Sequence, residues 1–337
     1  MQRRSFLKLS AAGLGGICAS AFTAASAPES RVRTVRGPIE PGKLGRTLMH
    51  EHVMVDFIGA DKIAPGRYDP EEVFRTALPH LEKLKSLGCN TLVECTPNYV
   101  GRDPAILRRL SVATGLNILT NTGLYGAAED KYVPRFAYDE STNQLAERWV
   151  REFEDGIPPS GIKPGFMKIG VDSGPLSEID AKLVRAAARA HRRTGLVIAA
   201  HTGDGKAALA ELDVLKEEGV DPSAFIWVHA QNETDPSIHE RAAELGAWVE
   251  FDGISPESVE KHVELVMRMR RAGHLGRVLV SHDAGWYHVG EPGGGNYRGY
   301  DTLFTQFLPA LRKAGASEDD VKTLLIRNPR AALTPRS

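Results

Sequence analysis

From about residue 45 onward, short apolar runs alternate with longer amphipathic stretches. Eight apolar runs can be distinguished, at residues 47–54, 91–96, 117–122, 166–171, 196–201, 224–229, 247–252 and 277–282. The helix-like stretches include residues 70–87, 104–114, 178–193, 206–218 and 256–272. Strands that alternate with helices indicate parallel strands joined by crossover helices. Eight such units in about 285 residues have the size of a (β/α)₈ TIM barrel, an α/β fold.

The alternative architecture is a doubly wound open sheet, which often carries a glycine-rich phosphate loop after its first strand. No G-x-G-x-x-G motif follows residues 47–54, so the barrel is favoured. Residues 28–44 are expected to form a short addition at the base of the barrel, such as a hairpin. The tail at residues 318–333 is predicted to be a closing helix that ends at Asn328-Pro329.

Two histidines, His50 and His52, lie two positions apart on the first predicted strand. Residues with this spacing point to the same face of a strand, so both imidazoles can face the barrel axis and bind one ion. Glu51 between them points to the opposite face. An H-x-H pair alone is a weak signal, because a structural pair of histidines is the commoner explanation.

Three further residues that can bind a metal stand at the ends of predicted strands. His201 and His229 end two successive apolar runs, and Asp283 directly follows the eighth run. The carboxyl ends of all strands of a TIM barrel meet at one mouth, so these residues are expected to be neighbours. Taken singly, each histidine is equally well explained as a hydrogen-bonded core residue, and Asp283 as a helix cap. Neutral imidazole is a common ligand of zinc and similar ions.

Lys168 stands inside the fourth apolar run, where a charged amine is costly to bury. A salt bridge, a depressed pKa or a chemical modification that removes the charge would each resolve this cost. Reaction with CO₂ would convert the amine into a carbamate, an anionic ligand that can bridge two cations. The sequence alone leaves these alternatives open.

The N-terminus carries features of an export signal. Arg3-Arg4, followed by Phe6-Leu7-Lys8 and a short Ala/Gly-rich apolar run, resembles a twin-arginine signal that ends at a small-residue cleavage site at Ala27. The interpretation is a signal peptide at 1–27, a single hydrolase domain at 28–337 and a periplasmic or secreted protein without a stable membrane span. Signal removal leaves 39 basic against 43 acidic residues, a net charge of −4, which disfavours nucleic acid as a partner.

The order and spacing of several motifs resemble the phosphotriesterase-like branch of the amidohydrolase superfamily, which includes phosphotriesterases and lactonases. These motifs are Met49-His50-Glu51-His52, the Gly-Arg-Asp that ends at Asp103, Thr122-Gly123-Leu124-Tyr125, residues 161–165 leading to Lys168, His201-Thr202, His229, Asp283 and Asn328-Pro329. The resemblance spans residues 40–333 and implies an amidohydrolase-like barrel with two metal ions. The native ions are predicted to be Zn²⁺, although Mn²⁺, Co²⁺ or Fe²⁺ would also fit the ligand types.

The resemblance also implies roles for the individual ligands. His50, His52 and Asp283 would bind the more buried ion, and His201 and His229 the more exposed one. Carboxylated Lys168 would bridge the two ions.

The sequence departs from the family at two positions that assist proton removal in phosphotriesterases. Asn232 replaces an acid and Gly253 replaces a histidine. Tyr125 resembles a tyrosine of the lactonase pocket. Trp286 and Arg298 flank a glycine-rich loop that is expected to be either a mobile lid or a solvated turn, and with Tyr125 they are candidates for the substrate pocket.

The predicted function is hydrolysis of an ester-type bond in a small molecule by a metal-bridging hydroxide, with Asp283 as the catalytic proton acceptor. Lactones, carboxylic esters and phosphotriesters are the candidate substrates. Two alternatives are a TatD-like metal-dependent phosphodiesterase or nuclease barrel and a non-catalytic metal-binding barrel. The sequence leaves open whether the chain forms a homodimer.

Overall fold

The computed structural model describes residues 31–336, which form the predicted TIM barrel. The predicted signal peptide at residues 1–27 lies outside the described residues. Among the helices of residues 31–336, none combines the length and the apolar character that a membrane crossing requires.

Twelve strands lie within the described residues. Their bounds are β1 Val32–Thr34, β2 Gly37–Ile39, β3 Thr47–Val55, β4 Thr91–Glu94, β5 Asn117–Leu119, β6 Asn121–Thr122, β7 Phe166–Val171, β8 Ile198–Thr202, β9 Phe225–Val228, β10 Trp248–Phe251, β11 Val278–Val280 and β12 Gly285–His288. Strands β3 to β11 correspond to the eight predicted apolar runs. The run at 117–122 is divided in two because β5 pairs with β4, whereas β6 pairs with β7.

The barrel strands are all parallel and follow one another around the barrel in chain order. The ring closes where the segment after β11 meets β3, since the amide of Asp283 donates to the carbonyl of His50 at 3.0 Å. The sequence did not predict β12, which pairs with the outer end of β3 and places Gly285 opposite His52.

The helices cover the outside of the barrel. Their bounds are α1 Pro70–Ser86, α2 Pro104–Thr114, α3 Phe136–Asp139, α4 Thr142–Asp155, α5 Glu178–Thr194, α6 Gly205–Glu217, α7 Pro236–Leu245, α8 Val259–Arg271, α9 Leu308–Lys313, α10 Glu318–Lys322 and α11 Asn328–Leu333. Glycines with positive φ end α2, α5 and α7, as is common for helix C-termini.

Two predicted helix boundaries are wrong. The predicted stretch from residue 256 begins only at Val259. The tail does not end at Asn328-Pro329 but continues as α11, because a π-turn at Thr323–Arg327 precedes the proline. A proline in a regular α-helix clashes with the carbonyl four residues earlier, and the wider π-turn offers one way to accommodate it.

The hairpin of β1 and β2 closes the base of the barrel, as expected. Val32 packs into the barrel interior together with Leu44 and Leu333, and the amide of Val35 donates to the carbonyl of Ile118 at 2.9 Å. Polar side chains line the opposite end of the barrel, where the strands have their C-termini.

Glu211 on α6 is a fully buried carboxyl group outside the barrel. Its Oε2 accepts a hydrogen bond from Thr202 at 2.8 Å, whereas Oε1 has no hydrogen-bond partner within residues 31–336. Burial raises the pKa of Glu211 well above its ordinary value. Between the ordinary pKa of a glutamate and the higher pKa of folded Glu211, the folded protein retains a proton that the unfolded chain releases. The free energy of unfolding therefore falls as pH rises through this interval.

We expect Glu211→Gln to stabilise the protein relative to the wild type by an amount that grows between about pH 5 and pH 8. Urea denaturation at a series of pH values measures this difference. The control is Asp213→Asn, which removes an exposed acid of the same helix. An equal pH response in the two variants would contradict the assignment.

Candidate metal centre

Three predicted ligands meet at the mouth of the barrel. The Nε2 atoms of His50 and His52 lie 3.1 Å apart, and Asp283 Oδ1 lies 3.1 Å from His52 Nε2 and 3.8 Å from His50 Nε2. His50 is fully buried, whereas the Asp283 side chain is 24% exposed and faces the opening. These three residues form a group whose ligand atoms could hold a metal ion.

Hydrogen bonds around His52 identify which of its nitrogens carries the proton. Thr96 Oγ1 lies 2.6 Å from the Glu94 carboxylate, to which its hydroxyl can donate. The same oxygen lies 2.8 Å from His52 Nδ1 and can accept a hydrogen bond from it. His52 is thereby favoured with the proton on Nδ1, which leaves the Nε2 lone pair directed at His50 and Asp283.

A second carboxylate, Asp252, fixes two of the imidazoles from below. Its Oδ2 lies 3.1 Å from His50 Nδ1, and its Oδ1 lies 2.7 Å from His229 Nδ1. The backbone amide of His229 and the Gln231 side chain also donate to this carboxylate, at 3.0 and 2.7 Å. Burial alone would raise the pKa of Asp252, but His229 and His50 outweigh it and hold the pKa well below its ordinary value.

Asp252 is a site residue that the sequence analysis missed. The signal that could have identified it is its position, because it continues the alternate, inward-facing positions of β10 after Trp248 and Glu250. Asp252 accepts a hydrogen bond from Nδ1 of His229 and lies 3.1 Å from Nδ1 of His50, so it favours the tautomer of each ring in which Nε2 is free to bind a cation.

His229 reaches the cluster through an unusual backbone conformation. β9 ends at Val228, and His229 has a φ of +64°, which takes the chain out of the extended strand. Its ring centroid lies 5.0 Å from that of His50 and 4.4 Å from that of His201. Burial and the neighbouring positive charges hold the pKa of His201 well below its ordinary value, so His201 is neutral and able to bind a metal.

Lys168 lies inside the barrel beside the histidines, at 2% exposure. Its Nζ donates to the carbonyl of Ile169 at 3.3 Å and lies 5.6 Å from the ring centroid of Tyr125. No carboxylate oxygen of residues 31–336 lies within 4 Å of this nitrogen, so the described residues provide no salt bridge for Lys168. Burial lowers the pKa of Lys168, which favours the neutral amine.

Glu51 positions the segment that carries Asp283. Its Oε1 accepts hydrogen bonds from Ser281 Oγ and from the amide and Nδ1 of His282, and its Oε2 accepts from the amide of Ala284. The expectation that Glu51 points away from His50 and His52 therefore holds. A buried carboxylate with four donors fixes the turn in which Asp283 adopts a φ of +54°.

The predicted pocket residues lie around the same cluster. Tyr125 Oη contacts His201 Nδ1 at 2.9 Å, and the Trp286 ring packs edge-on against His52 with centroids 5.4 Å apart. The Arg298 guanidinium lies 4.9 Å above the Trp286 ring. Trp286 Nε1 is a buried donor with no partner among residues 31–336 and can donate to a bound substrate. The glycine-rich loop begins in β12, so Trp286 is part of a strand rather than of a free turn.

Neither of the two positions that depart from the family, Asn232 and Gly253, places a side chain in the cluster. The side chain of Asn232 is exposed. The side chain of Gln231 lies beside Gly253 and donates a hydrogen bond to Asp252. Asp283 is consequently the carboxylate that faces the opening of the site.

Gly285 brings β12 against the backbone of His52. Its φ is +95°, and a Cβ atom there would lie 1.8 Å from the His52 carbonyl oxygen. We expect Gly285→Ala to displace His52, to lower activity and to cost roughly 3 kcal/mol or more of unfolding free energy. Gly290→Ala is the matched control, since Gly290 has a φ of +94° but open space around it, and it should cost only about 1 kcal/mol. Chemical denaturation and zinc binding measure the two effects, and equal losses would contradict the clash.

Convergent histidines and carboxylates at the C-terminal mouth of an eight-stranded barrel define a metal-dependent hydrolase of the TIM-barrel class. The phosphotriesterase family profile matches residues 30–333, and the chain belongs to this family. The motif resemblance is thereby confirmed, and the family membership favours an ester hydrolase over a TatD-like barrel.

The relatives cover nearly the whole chain. A phosphotriesterase homology protein of Mycobacterium tuberculosis is 31% identical over 89% of this chain and 96% of its own length. An aryldialkylphosphatase of Saccharolobus solfataricus is 26% identical over 87% and 96%, respectively. The structure of an organophosphorus hydrolase from Deinococcus radiodurans superposes with a TM-score of 0.81 at 27% identity, over 90% of this chain and 97% of that one.

Proposed function

We propose that the chain is a two-metal hydrolase that cleaves a neutral ester-type bond in a small molecule, such as a lactone, a carboxylic ester or a phosphotriester. The observation that best supports this proposal is the cluster of three potential ligand atoms formed by His50 Nε2, His52 Nε2 and Asp283 Oδ1. These three acceptor atoms lie 3.1 to 3.8 Å apart, and Asp283 Oδ1 is buried with no hydrogen-bond donor among residues 31–336. Three acceptor atoms this close repel one another unless a proton or a cation lies among them, and a bound cation would satisfy all three at once.

The chemistry of the donor set fits two cations. His50, His52 and Asp283 would hold one ion, and His201 and His229 the second. Lys168 would join both ions as a carbamate, which requires the neutral amine that its burial favours. Imidazole nitrogens with carboxylate oxygens suit Zn²⁺, while Mn²⁺, Co²⁺ and Fe²⁺ accept the same ligands.

When bound, the ions would acidify water to a pKa near neutrality and polarise the oxygen of the bond to be cleaved. Asp283 is placed to accept the proton. Trp286 Nε1 and Tyr125 Oη are placed to orient the substrate.

The relatives' names support this class of reaction. An aryldialkylphosphatase and an organophosphorus hydrolase share the fold and much of the length of this chain. The twin-arginine motif in residues 1–27 supports export to the periplasm or beyond, and export of a folded chain suits an enzyme that acquires its metal beforehand.

A substrate panel tests the proposal directly. The purified protein, loaded with Zn²⁺ or stripped by a chelator, is assayed on aryl carboxylic esters, γ- and δ-lactones, a diethyl aryl phosphotriester and an anionic aryl phosphodiester. We expect turnover of at least one neutral class, loss of that turnover on chelation and its return with Zn²⁺. Preference for the phosphodiester would support the TatD-like alternative, and metal binding without turnover on any class would support the non-catalytic one.

A further inference from the structure

A cleft of about 870 Å³ lies at the base of the barrel, at the opposite end of the strands from the metal centre. It is bounded by the β1–β2 hairpin, by residues 160–163, by the end of α5 and by Arg336. We call it the basal cleft. Its volume is in the range of small-molecule sites.

The charged side chains that line the basal cleft, among the described residues, are all positive. Eight of the described residues that line it are arginine or lysine, and none of them is aspartate or glutamate. The whole chain has a formal net charge of −1, so this concentration does not reflect its composition. A cleft lined by one sign of charge concentrates ions of the opposite sign.

Most of these cations have no carboxylate partner in the described part of the chain. Within residues 31–336, no acidic side chain lies within 4 Å of the charged groups of six of them, namely Arg33, Arg36, Arg108, Lys163, Arg192 and Arg336. The remaining two differ, because Arg31 pairs with Glu40 at 3.0 Å and Arg193 pairs with Glu147. Paired and unpaired cations therefore stand side by side in the same lining.

Several unpaired cations are nevertheless held in place by neutral groups. The Arg33 guanidinium lies 3.5 Å from the ring centroid of Phe153 and donates to the carbonyl of the same residue. Arg36 Nη2 donates to the carbonyl of Leu116 at 3.4 Å and to Asn117 Oδ1 at 3.3 Å. Arg336 donates to Ser223 Oγ. Such contacts order a guanidinium without neutralising it, so each retains its full attraction for an anion.

We propose that the basal cleft binds a soluble small molecule that carries two or more phosphate groups. Guanidinium groups match phosphate oxygens in geometry and charge, and several separate cations around one concave site require more than one anionic group for neutralisation. The side chain of Phe153 and the buried Ile162 supply an apolar wall for the remainder of the ligand. The concave shape favours a ligand that enters the cleft over a flat surface that spans it.

The test uses fructose 1,6-bisphosphate as the probe, with fructose 6-phosphate and fructose as ligands of decreasing charge. The variant carries Arg36→Glu, Arg108→Glu and Lys163→Glu, three exposed positions of the lining without acidic partners. The matched control carries Arg75→Glu, Lys216→Glu and Lys261→Glu, which change the net charge equally at exposed positions outside the cleft. Calorimetric titration at low ionic strength measures the dissociation constants.

We expect saturable binding of the bisphosphate to the wild type, tighter than that of the monophosphate, and no binding of fructose. The cleft variant should bind the bisphosphate roughly tenfold more weakly or worse, and the control should stay within about twofold of the wild type. Ester hydrolysis should be unchanged in both variants, which separates this site from the metal centre.

Three results would overturn the proposal. These are the absence of saturable binding to the wild type, an equal loss of affinity in the control, and association with phosphatidylglycerol vesicles but not with the bisphosphate.

Discussion

Replacement of Lys168 by methionine should lower kcat/KM by roughly a thousandfold or more, because in the proposed site it removes the one side chain among residues 31–336 that would join the two ions. Lys168 lies beside the histidines at 2% exposure, and no other described side chain replaces it there. Methionine is close to lysine in length and apolar, so it can occupy the same space. It also spares the protein the cost of a buried amine, and we therefore expect its unfolding free energy to be unchanged or increased.

The combination of lost activity and retained stability separates a chemical role of Lys168 from a structural one. Lys168→Glu introduces a carboxylate at the same strand position and should retain more bound zinc than Lys168→Met. Lys206→Met, an exposed lysine of α6, is the control and should behave as the wild type. Kinetics, metal content and denaturation are measured on each variant. Full activity in Lys168→Met would show that Lys168 has no role in the metal centre.

Asp252→Asn should lower zinc affinity by about 10- to 100-fold, with a parallel loss of activity at limiting zinc. The carboxylate contacts Nδ1 of His50 at 3.1 Å and Nδ1 of His229 at 2.7 Å, and so orients both rings. An asparagine of the same size can offer only one acceptor oxygen. One imidazole then loses the partner that holds the proton on Nδ1, and the tautomer with a free Nε2 is less favoured.

Asp180→Asn is the matched control, because Asp180 is a buried aspartate that accepts only from Ser177 and makes no contact with the histidines. Zinc titration with a competing chelator gives the affinities. Excess zinc should restore most of the activity of Asp252→Asn, since the ligands themselves remain. Wild-type affinity in this variant would show that Asp252 does not orient the rings.

The alternation of apolar runs and amphipathic stretches was sufficient to predict the barrel and to place the candidate ligands. A histidine that ends a buried parallel strand must lie at the carboxyl mouth, which is why the position of His201 followed from strand position alone. For His50 and His52, their spacing of two residues on one strand placed both rings on the same face. The same argument would have placed Asp252 at the mouth, if the inward-facing positions of β10 had been continued from Glu250 to the next alternate residue.

Other features depend on contacts that no local pattern encodes. The positive φ values of His229 and Asp283 turn these residues towards the cluster after their strands have ended. The Asp283 turn is fixed by Glu51, more than 200 residues away in the chain. The pairing of β12 with β3 depends on the close approach of Gly285 to His52, which becomes visible only in three dimensions.

A crystal structure of the zinc-loaded protein, with anomalous data collected at the zinc edge, tests the metal assignment most directly. We expect two anomalous peaks at the mouth of the barrel, one bound by His50, His52 and Asp283 and the other by His201 and His229. Continuous density should extend beyond Lys168 Nζ to both ions. Peaks at other positions, or a site whose histidines bind no zinc at all, would contradict a two-metal hydrolase.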